Sequence, residues 1–291
     1  MRKLHFFLPG MFTLYGETGR YPAVSITGSK CDLMCDHCQA HLLVTMPDCS
    51  TPDKLLDYAL AGQARGDVGL LVSGGSNFQG KLPWEEFAPT LAKIKSQTNL
   101  HLSVHTGFAT HNQAKMLKDA GVDQALIDII GSDDVAKKIY HINLDIVKNS
   151  LDAVFSAGLM VVPHVLVGLD YGGHSGEEQA LEMLSKYNPK AMVVIALRPS
   201  KHTKMGSVTP PTPERIAEII RLAKKLMPNT FVNLGCARPV GTHKQKTDVL
   251  AIEAGVDGLA VPSEQAWDYA KAHGFEVEEH PTCCSMLTTF V

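Results

Sequence analysis

The chain has 291 residues, 45% of them apolar and 20% charged, with a net charge of −3. That balance suits a globular domain able to bury a core without disulfides, and gives nucleic acid or an anionic membrane no electrostatic reason to bind. No apolar run reaches the ~18 residues a membrane span needs, and seven cysteines, three of them closely grouped, point to a reducing cytoplasm and metal ligation rather than a disulfide framework.

Residues 1–22 begin basic and then turn apolar, but Pro9 and Gly10 interrupt the run and no small-residue cleavage site follows. They are read as a lead-in segment packed on the domain, not as a signal peptide. Beyond it, short β-branched runs recur at 23–29, 68–75, 101–107, 124–131, 160–168, 191–198, 230–238 and 258–263. Their nearly continuous Val, Ile, Leu and Ala suit parallel strands buried on both faces. Helical patterns separate them. Thr51-Pro52-Asp53 and Thr212-Pro213-Glu214 are start signals, and Gly121, Gly158 and Gly255 are stop signals for segments beginning at Asn112, Asn143 and Thr247. The predicted fold is an α/β (β/α)8 TIM-type barrel over 23–273, since first strand to last is roughly 240 residues, near the ~250 usual for that barrel. A doubly wound open sheet is the alternative. Residues 274–291 form a tail that the barrel itself does not need.

In such a barrel, function collects at the C-terminal ends of the strands. The stretch CDLMCDHC follows the first strand and carries Cys31, Cys35 and Cys38. Thiolates bind soft metal centres. Three on one loop can hold three irons of a cubane cluster and leave the fourth open, as a reactive centre requires. Structural zinc is the competing reading, but it usually takes four protein ligands, and no second C-x-x-C is present. Four cysteines remain. Cys49 lies in the same loop, Cys236 ends the seventh strand, and Cys283 and Cys284 are adjacent in the tail. Buried inert cysteine is common; an adjacent pair in a tail contributes little to a core.

The three-cysteine loop resembles the signature of the radical S-adenosylmethionine (SAM) enzymes. The resemblance implies a 4Fe–4S cluster on Cys31, Cys35 and Cys38 whose open iron chelates SAM. Reduction then cleaves SAM to methionine and a 5′-deoxyadenosyl radical. It places His37 beside the adenine, where the family usually has an aromatic residue. It gives Ser73, Gly74 and Gly75 to SAM's amino group, although Ser76 replaces the commoner acidic residue, and Gly168 to the adenine side. His105 is a candidate for SAM's carboxylate or the substrate, or else a hydrogen-bonded rim histidine. Arg198 has the planar fork that suits a carboxylate, or else makes a structural ion pair. Asp128 needs a buried partner, and His164 is readable as a satisfied core group.

TGSKCDLMCDHCQAHLL, LLVSGGSNFQGKLP, NLGCARP and the terminal CCS together resemble a biotin-synthase-like group whose members form split lipoyl synthases. That resemblance implies sulfur insertion into a protein-bound octanoyl chain. It also implies a second radical SAM subunit, an octanoylated lipoyl carrier domain, and a reductant such as ferredoxin or flavodoxin. Cys49, Cys236, Cys283 and Cys284 become candidate ligands of a second 4Fe–4S cluster, with Ser285 as an unusual oxygen ligand. Two other readings stay open: a biotin-synthase-like enzyme acting on a free small molecule, and a non-catalytic Fe–S carrier or scaffold.

Overall fold

The computed structural model describes residues 2–286. A strand β1 (Lys3–Phe7) and a small hairpin, β2 (Thr13–Leu14) and β3 (Glu17–Thr18), precede the repeating units. These run β4 (Ala23–Ser25), α1 (Pro52–Arg65), β5 (Gly69–Ser73), α2 (Trp84–Gln97), β6 (His101–His105), α3 (His111–Asp119) and β7 (Gln124–Ile129). A short α4 (Asp133–Val135) runs into a π-helical turn, Ala136–Tyr140. There follow α5 (Leu144–Ser156), β8 (Val161–Val167), α6 (Glu177–Ser185), β9 (Ala191–Ala196), α7 (Pro213–Leu226), β10 (Phe231–Leu234), α8 (Thr242–Glu253), β11 (Gly258–Ala260), α9 (Glu264–Ala272) and β12 (Glu276–His280).

All eight expected strands are present, as β4 to β11, and pair in sequence order with parallel ladders. That succession lacks the reversal of a doubly wound sheet, so the architecture is the TIM-type one. The sheet has ten strands, because β1 adds to β11 and β12 adds to β1. It thus extends into both the expected lead-in and the expected tail. β4 and β12 are its two edges, and no ladder joins them among the described residues.

The helices begin where side chains can cap them. The Thr51 and Thr212 hydroxyls accept from Lys54 N–H and Arg215 N–H, and proline follows each. Thr110 and Gln113 form a capping box, so α3 starts one residue before the expected Asn112. The largest boundary difference is at α8, which starts at Thr242, not Thr247. Thr247 resembles a cap, but its hydroxyl donates to the His243 carbonyl one turn back (2.8 Å), a bond available inside a helix.

Strand alternation separates two faces. Leu70, Val72, Leu102, Val104, Ile127, Val165, Met192, Val194 and Val232 share one core with Leu55, Phe87, Leu91, Ile216 and Ile220 of the helices. The opposite, concave face takes the intervening residues. Leu126, Val162, Ala191 and Val193 form a separate apolar cluster there with Cys284. In register with them come His105, Asp128 and His164, one on each of three adjacent strands. The strands looked apolar throughout because both alternating sets are rich in aliphatics; only the concave set is broken by polar groups.

Among the described residues no helix is long and apolar enough to cross a membrane.

Candidate functional site: two cysteine groups across the concave face

The first strand is shorter than expected because its hydroxyls turn the chain. β4 stops at Ser25, whose Oγ–H donates to the Gly28 carbonyl (2.6 Å). Thr27 Oγ–H donates to the Lys30 carbonyl (2.9 Å) and accepts from Gly75 N–H (2.7 Å). Ser76 then holds the cysteine loop directly. Its N–H donates to Cys31 Sγ (3.3 Å), and its carbonyl accepts from Asp32 N–H (2.7 Å). Cys38 N–H donates to the Cys35 carbonyl (3.1 Å), and Cys31 and Cys38 pack in one cluster with Cys35. The Cys35 thiol and His37 stabilise a thiolate at Cys38, whose pKa falls to about 4 although burial opposes it. Hydrogen bonding to Cys38 and burial both hold the Cys35 thiol up. Met34, Gln39 and Ala40 have positive φ (44°, 40° and 60°), a conformation that costs L-residues roughly 1–2 kcal/mol each.

Three cysteines packed together on a strained loop fit a three-cysteine metal cluster. His37 adds a second sign of a ligand: its Nδ1 is buried with no hydrogen-bond partner. A polar cleft of ≈730 Å³ opens beside Cys31, lined by Lys30, Asp32, Lys81 and Glu85 among others.

The glycine pair has a steric cause. A Cβ on Gly75 would meet Lys30 O at 2.0 Å and Cys31 Cβ at 2.6 Å, whereas one on Gly74 would meet nothing closer than Ile26 Cγ1 at 3.2 Å. Gly75→Ala is therefore expected to push the cysteine loop away and cost about 1–3 kcal/mol, with most of the iron lost after anaerobic reconstitution. Gly74→Ala is the control; equal iron retention by the two variants would contradict this.

Asp36, between Cys35 and His37, was not singled out in the sequence. It is buried and accepts from Tyr171 Oη (2.8 Å) and Lys204 Nζ (2.7 Å), with His141 Nε2 at 3.3 Å. These bonds moor the loop to the segments after β8 and β9. The only sequence signal was a carboxylate between two ligands, which does not say whether it faces water. Asp36→Ala is expected to lower apoprotein stability by about 1–3 kcal/mol and to speed loss of iron to a chelator. An unchanged denaturation midpoint would count against the mooring.

Below the loop, polar groups form a row across the concave face. His37 and Tyr140 rings lie 5.1 Å apart, and Tyr140 Oη–H donates to Asp128 Oδ2 (3.4 Å). His105 Nε2 is 3.5 Å from Asp128 Oδ1, and the His164 ring follows at 6.0 Å. Burial works to raise the Asp128 pKa, but His105, His164 and His37 outweigh it and bring it to about 2. Burial lowers His164 to about 4, so it is neutral near pH 7. For His105, burial lowers the pKa, but Asp128 and then Cys283 more than reverse it. Asp128 thus has the partner it needed, and His105 joins the interior rather than a bare rim.

At the far end of that row, Cys236, Cys283 and Cys284 share one apolar cluster. Ser285 Oγ–H donates to Cys283 Sγ (3.2 Å). The Cys284 thiol first, and Ser285 with it, lower Cys283 to about 6 against the effect of burial. Burial chiefly, and Cys283 after it, raise Cys236 to about 11. Asn233 Nδ2 donates to the Cys284 carbonyl (2.6 Å), fixing the pair against β10. Cys49 is not brought to this group. It lies in the sheet–helix core with Val24 and Leu55, because its N–H pairs with the Ser25 carbonyl (2.9 Å) beside the edge strand.

The remaining strand-end residues take different positions. Gly168 has φ +79°, and a Cβ there would meet Pro211 Cδ at 2.7 Å. Its N–H donates to Glu177 Oε1 (2.8 Å) and its carbonyl accepts from Gly172 N–H (2.8 Å), so its backbone groups serve the turn. Arg198 is exposed and forms no ion pair among the described residues. Its neighbour Leu197 packs in the same cluster as Cys35.

A parallel TIM-type sheet capped at its first strand end by three convergent cysteines defines a metal-cluster barrel enzyme. The family model of the radical SAM superfamily matches residues 25–186, more than half the chain, and this chain belongs to that superfamily. Its members use a 4Fe–4S cluster and SAM. The chain is 29% identical over 173 residues to a biotin synthase of Clostridioides difficile (strain 630), covering 58% of this chain and 51% of that protein. It is 26% identical over 186 residues to a biotin synthase of Acetivibrio thermocellus, covering 61% and 55%. It therefore spans about half the length of the curated relatives it matches. Among solved structures it resembles the FeFe-hydrogenase maturase HydG from Carboxydothermus hydrogenoformans (TM-score 0.63, 14% identity, 95% of this chain and 68% of that one). It also resembles methylornithine synthase PylB (TM-score 0.60, 12% identity, 95% and 84%). At those identities the likeness concerns the fold alone.

Proposed function

We propose that this chain is a radical SAM sulfur-insertion enzyme acting on a protein-bound octanoyl chain, as one of two radical SAM subunits of a split lipoyl synthase. The observation that carries the proposal is the gathering of Cys236, Cys283 and Cys284 on the concave face that the three-cysteine loop caps. Cys31, Cys35 and Cys38 would hold the SAM cluster, and the second group would hold an auxiliary cluster, with Ser285 the nearest oxygen donor. When bound, these cofactors supply a 5′-deoxyadenosyl radical and a sulfide.

The chain's own residues then have separable tasks. His37, with its unpaired buried Nδ1, would meet the adenine, and the backbone of Ser73, Gly74 and Gly75 would meet SAM's amino group, with Gly75 also seating the cysteine loop against Lys30 and Cys31. Arg198, exposed beside Leu197, is a candidate for a carboxylate. Around Cys236, Cys283 and Cys284 the concave face is lined by Leu71, Leu126, Met160, Val162 and Ile195, with the polar row of Asp128, His105 and His164 between them and the cysteine loop. An alkyl chain has no charge to recognise, and an apolar lining both holds it and keeps water away from a radical. Met34, Leu42 and Val44 are exposed around the cysteine loop, which supports docking of the partner subunit or carrier at that rim. A reductant such as ferredoxin or flavodoxin would deliver the electron.

The named relatives favour a second reading, a biotin-synthase-like enzyme acting on a free small molecule. Mass spectrometry separates the two. The octanoylated carrier domain, incubated anaerobically with SAM, reductant and both subunits, is expected to gain sulfur on the acyl chain. If 5′-deoxyadenosine forms with a free acid but never with the carrier, the second reading replaces the first.

A further inference from the structure

Away from both cysteine groups, the outermost ladder of the sheet carries a set of nitrogen and oxygen donors. β1 and β12 run parallel in register, with His5 opposite Glu278 and Phe7 opposite His280. Side chains alternate along a strand, so His5, Glu278 and His280 share one face. His5 Nδ1 stands 3.0 Å from His280 Nε2 and 3.5 Å from Glu278 Oε2. One donor atom from each residue falls within 4.8 Å of the others. The other Glu278 oxygen is held by Lys3, leaving Oε2 turned to the histidines. Burial keeps both imidazoles below their usual pKa, so near pH 7 they are neutral and offer lone pairs.

We propose that His5, Glu278 and His280 form a site for one divalent first-row transition ion, with zinc the best fit, that clasps β12 to β1. Tetrahedral zinc with Zn–N bonds near 2.1 Å spaces its donors about 3.4 Å apart, close to the two separations found here. Two imidazoles, a carboxylate and a water complete four positions without a thiolate, so the site is chemically distinct from the cysteine groups. The imidazole–imidazole hydrogen bond and the His5–Glu278 contact would become bonds to one ion. Among the described residues β12 is an edge strand whose ladder partner is β1, and Cys283 and Cys284 follow three and four residues after His280. The clasp would therefore fix the strand from which the cysteine pair is hung.

The test uses anaerobically reconstituted protein, so that the cysteines are occupied before zinc is added. Zinc outcompetes ferrous iron at nitrogen–oxygen sites, so residual iron there is displaced. About one zinc per chain should survive gel filtration, with only nitrogen and oxygen neighbours in its X-ray absorption spectrum. Glu278→Gln and His280→Gln should each weaken zinc binding by about 100-fold or more, with circular dichroism and the iron of the three-cysteine loop unchanged. Glu278→Gln alters a partly exposed side chain, so it keeps the comparison usable if a histidine variant misfolds. Failure of wild type to retain zinc, sulfur among the zinc neighbours, or equal zinc in folded variants would each overturn the proposal.

Discussion

Cys35→Ala is expected to abolish 5′-deoxyadenosine formation and to remove about four irons per chain. Cys35 is the most enclosed of the three loop cysteines and packs with Leu33, Phe108, Leu169 and Met205. Its thiol is also the first cause of the low pKa at Cys38, so the change removes one ligand and weakens another. The deletion is small, and the apolar neighbours that hold the loop remain, so folding should survive. Circular dichroism and a thermal transition near wild type, combined with absent SAM cleavage, would assign the loss to the ligand. Wild-type rates of 5′-deoxyadenosine formation in this variant would remove the loop from the chemistry.

Asp248→Ala has the largest expected effect on stability, about 3–5 kcal/mol. Arg238 and Asp248 are both fully enclosed, and Arg238 Nε–H donates to Asp248 Oδ1 (2.8 Å). Arg238 also donates to the Gly235 carbonyl (2.6 Å) and the Val261 carbonyl (3.2 Å). Asp248 Oδ2 accepts from Lys244 Nζ (3.1 Å) and Ser263 N–H (2.8 Å). Removing the carboxylate strands a guanidinium where water cannot reach it. The consequence is local as well as global, because Gly235 and Arg238 bracket Cys236. A urea titration of the apoprotein should show a midpoint well below wild type, and reconstituted protein should lose iron from the Cys236 group before the three-cysteine loop. A midpoint equal to wild type would show that the pair does not hold this corner.

The barrel was legible because its cues are local. Each strand is a short aliphatic run, and threonine, proline and glycine punctuate the helices. The three-cysteine loop was legible because its ligands sit within eight residues of one another. What the sequence could not give is anything that depends on which strand faces which. Cys236 and the Cys283–Cys284 pair are far apart in the chain and meet only because β10 and the segment after β12 reach the same concave face. Cys49 looked equivalent to them, yet its loop pairs with the end of β4 and turns it into the sheet–helix core. The part played by β1 and β12 was missed for the same reason. KLHFF and EVEEH read as unremarkable segments until parallel pairing sets His5 against Glu278. Asp36 was hidden by its setting, since a carboxylate in a loop is ordinarily solvated and only the approach of Tyr171 and Lys204 buries it.

Iron and sulfide analysis of anaerobically reconstituted protein, read beside two cysteine variants, tests the two-cluster account most directly. The account expects about eight irons in wild type. It expects about four after replacement of Cys31, Cys35 and Cys38 by alanine, and about four after replacement of Cys236, Cys283 and Cys284. About four irons in wild type, unchanged by loss of the second group, would contradict it.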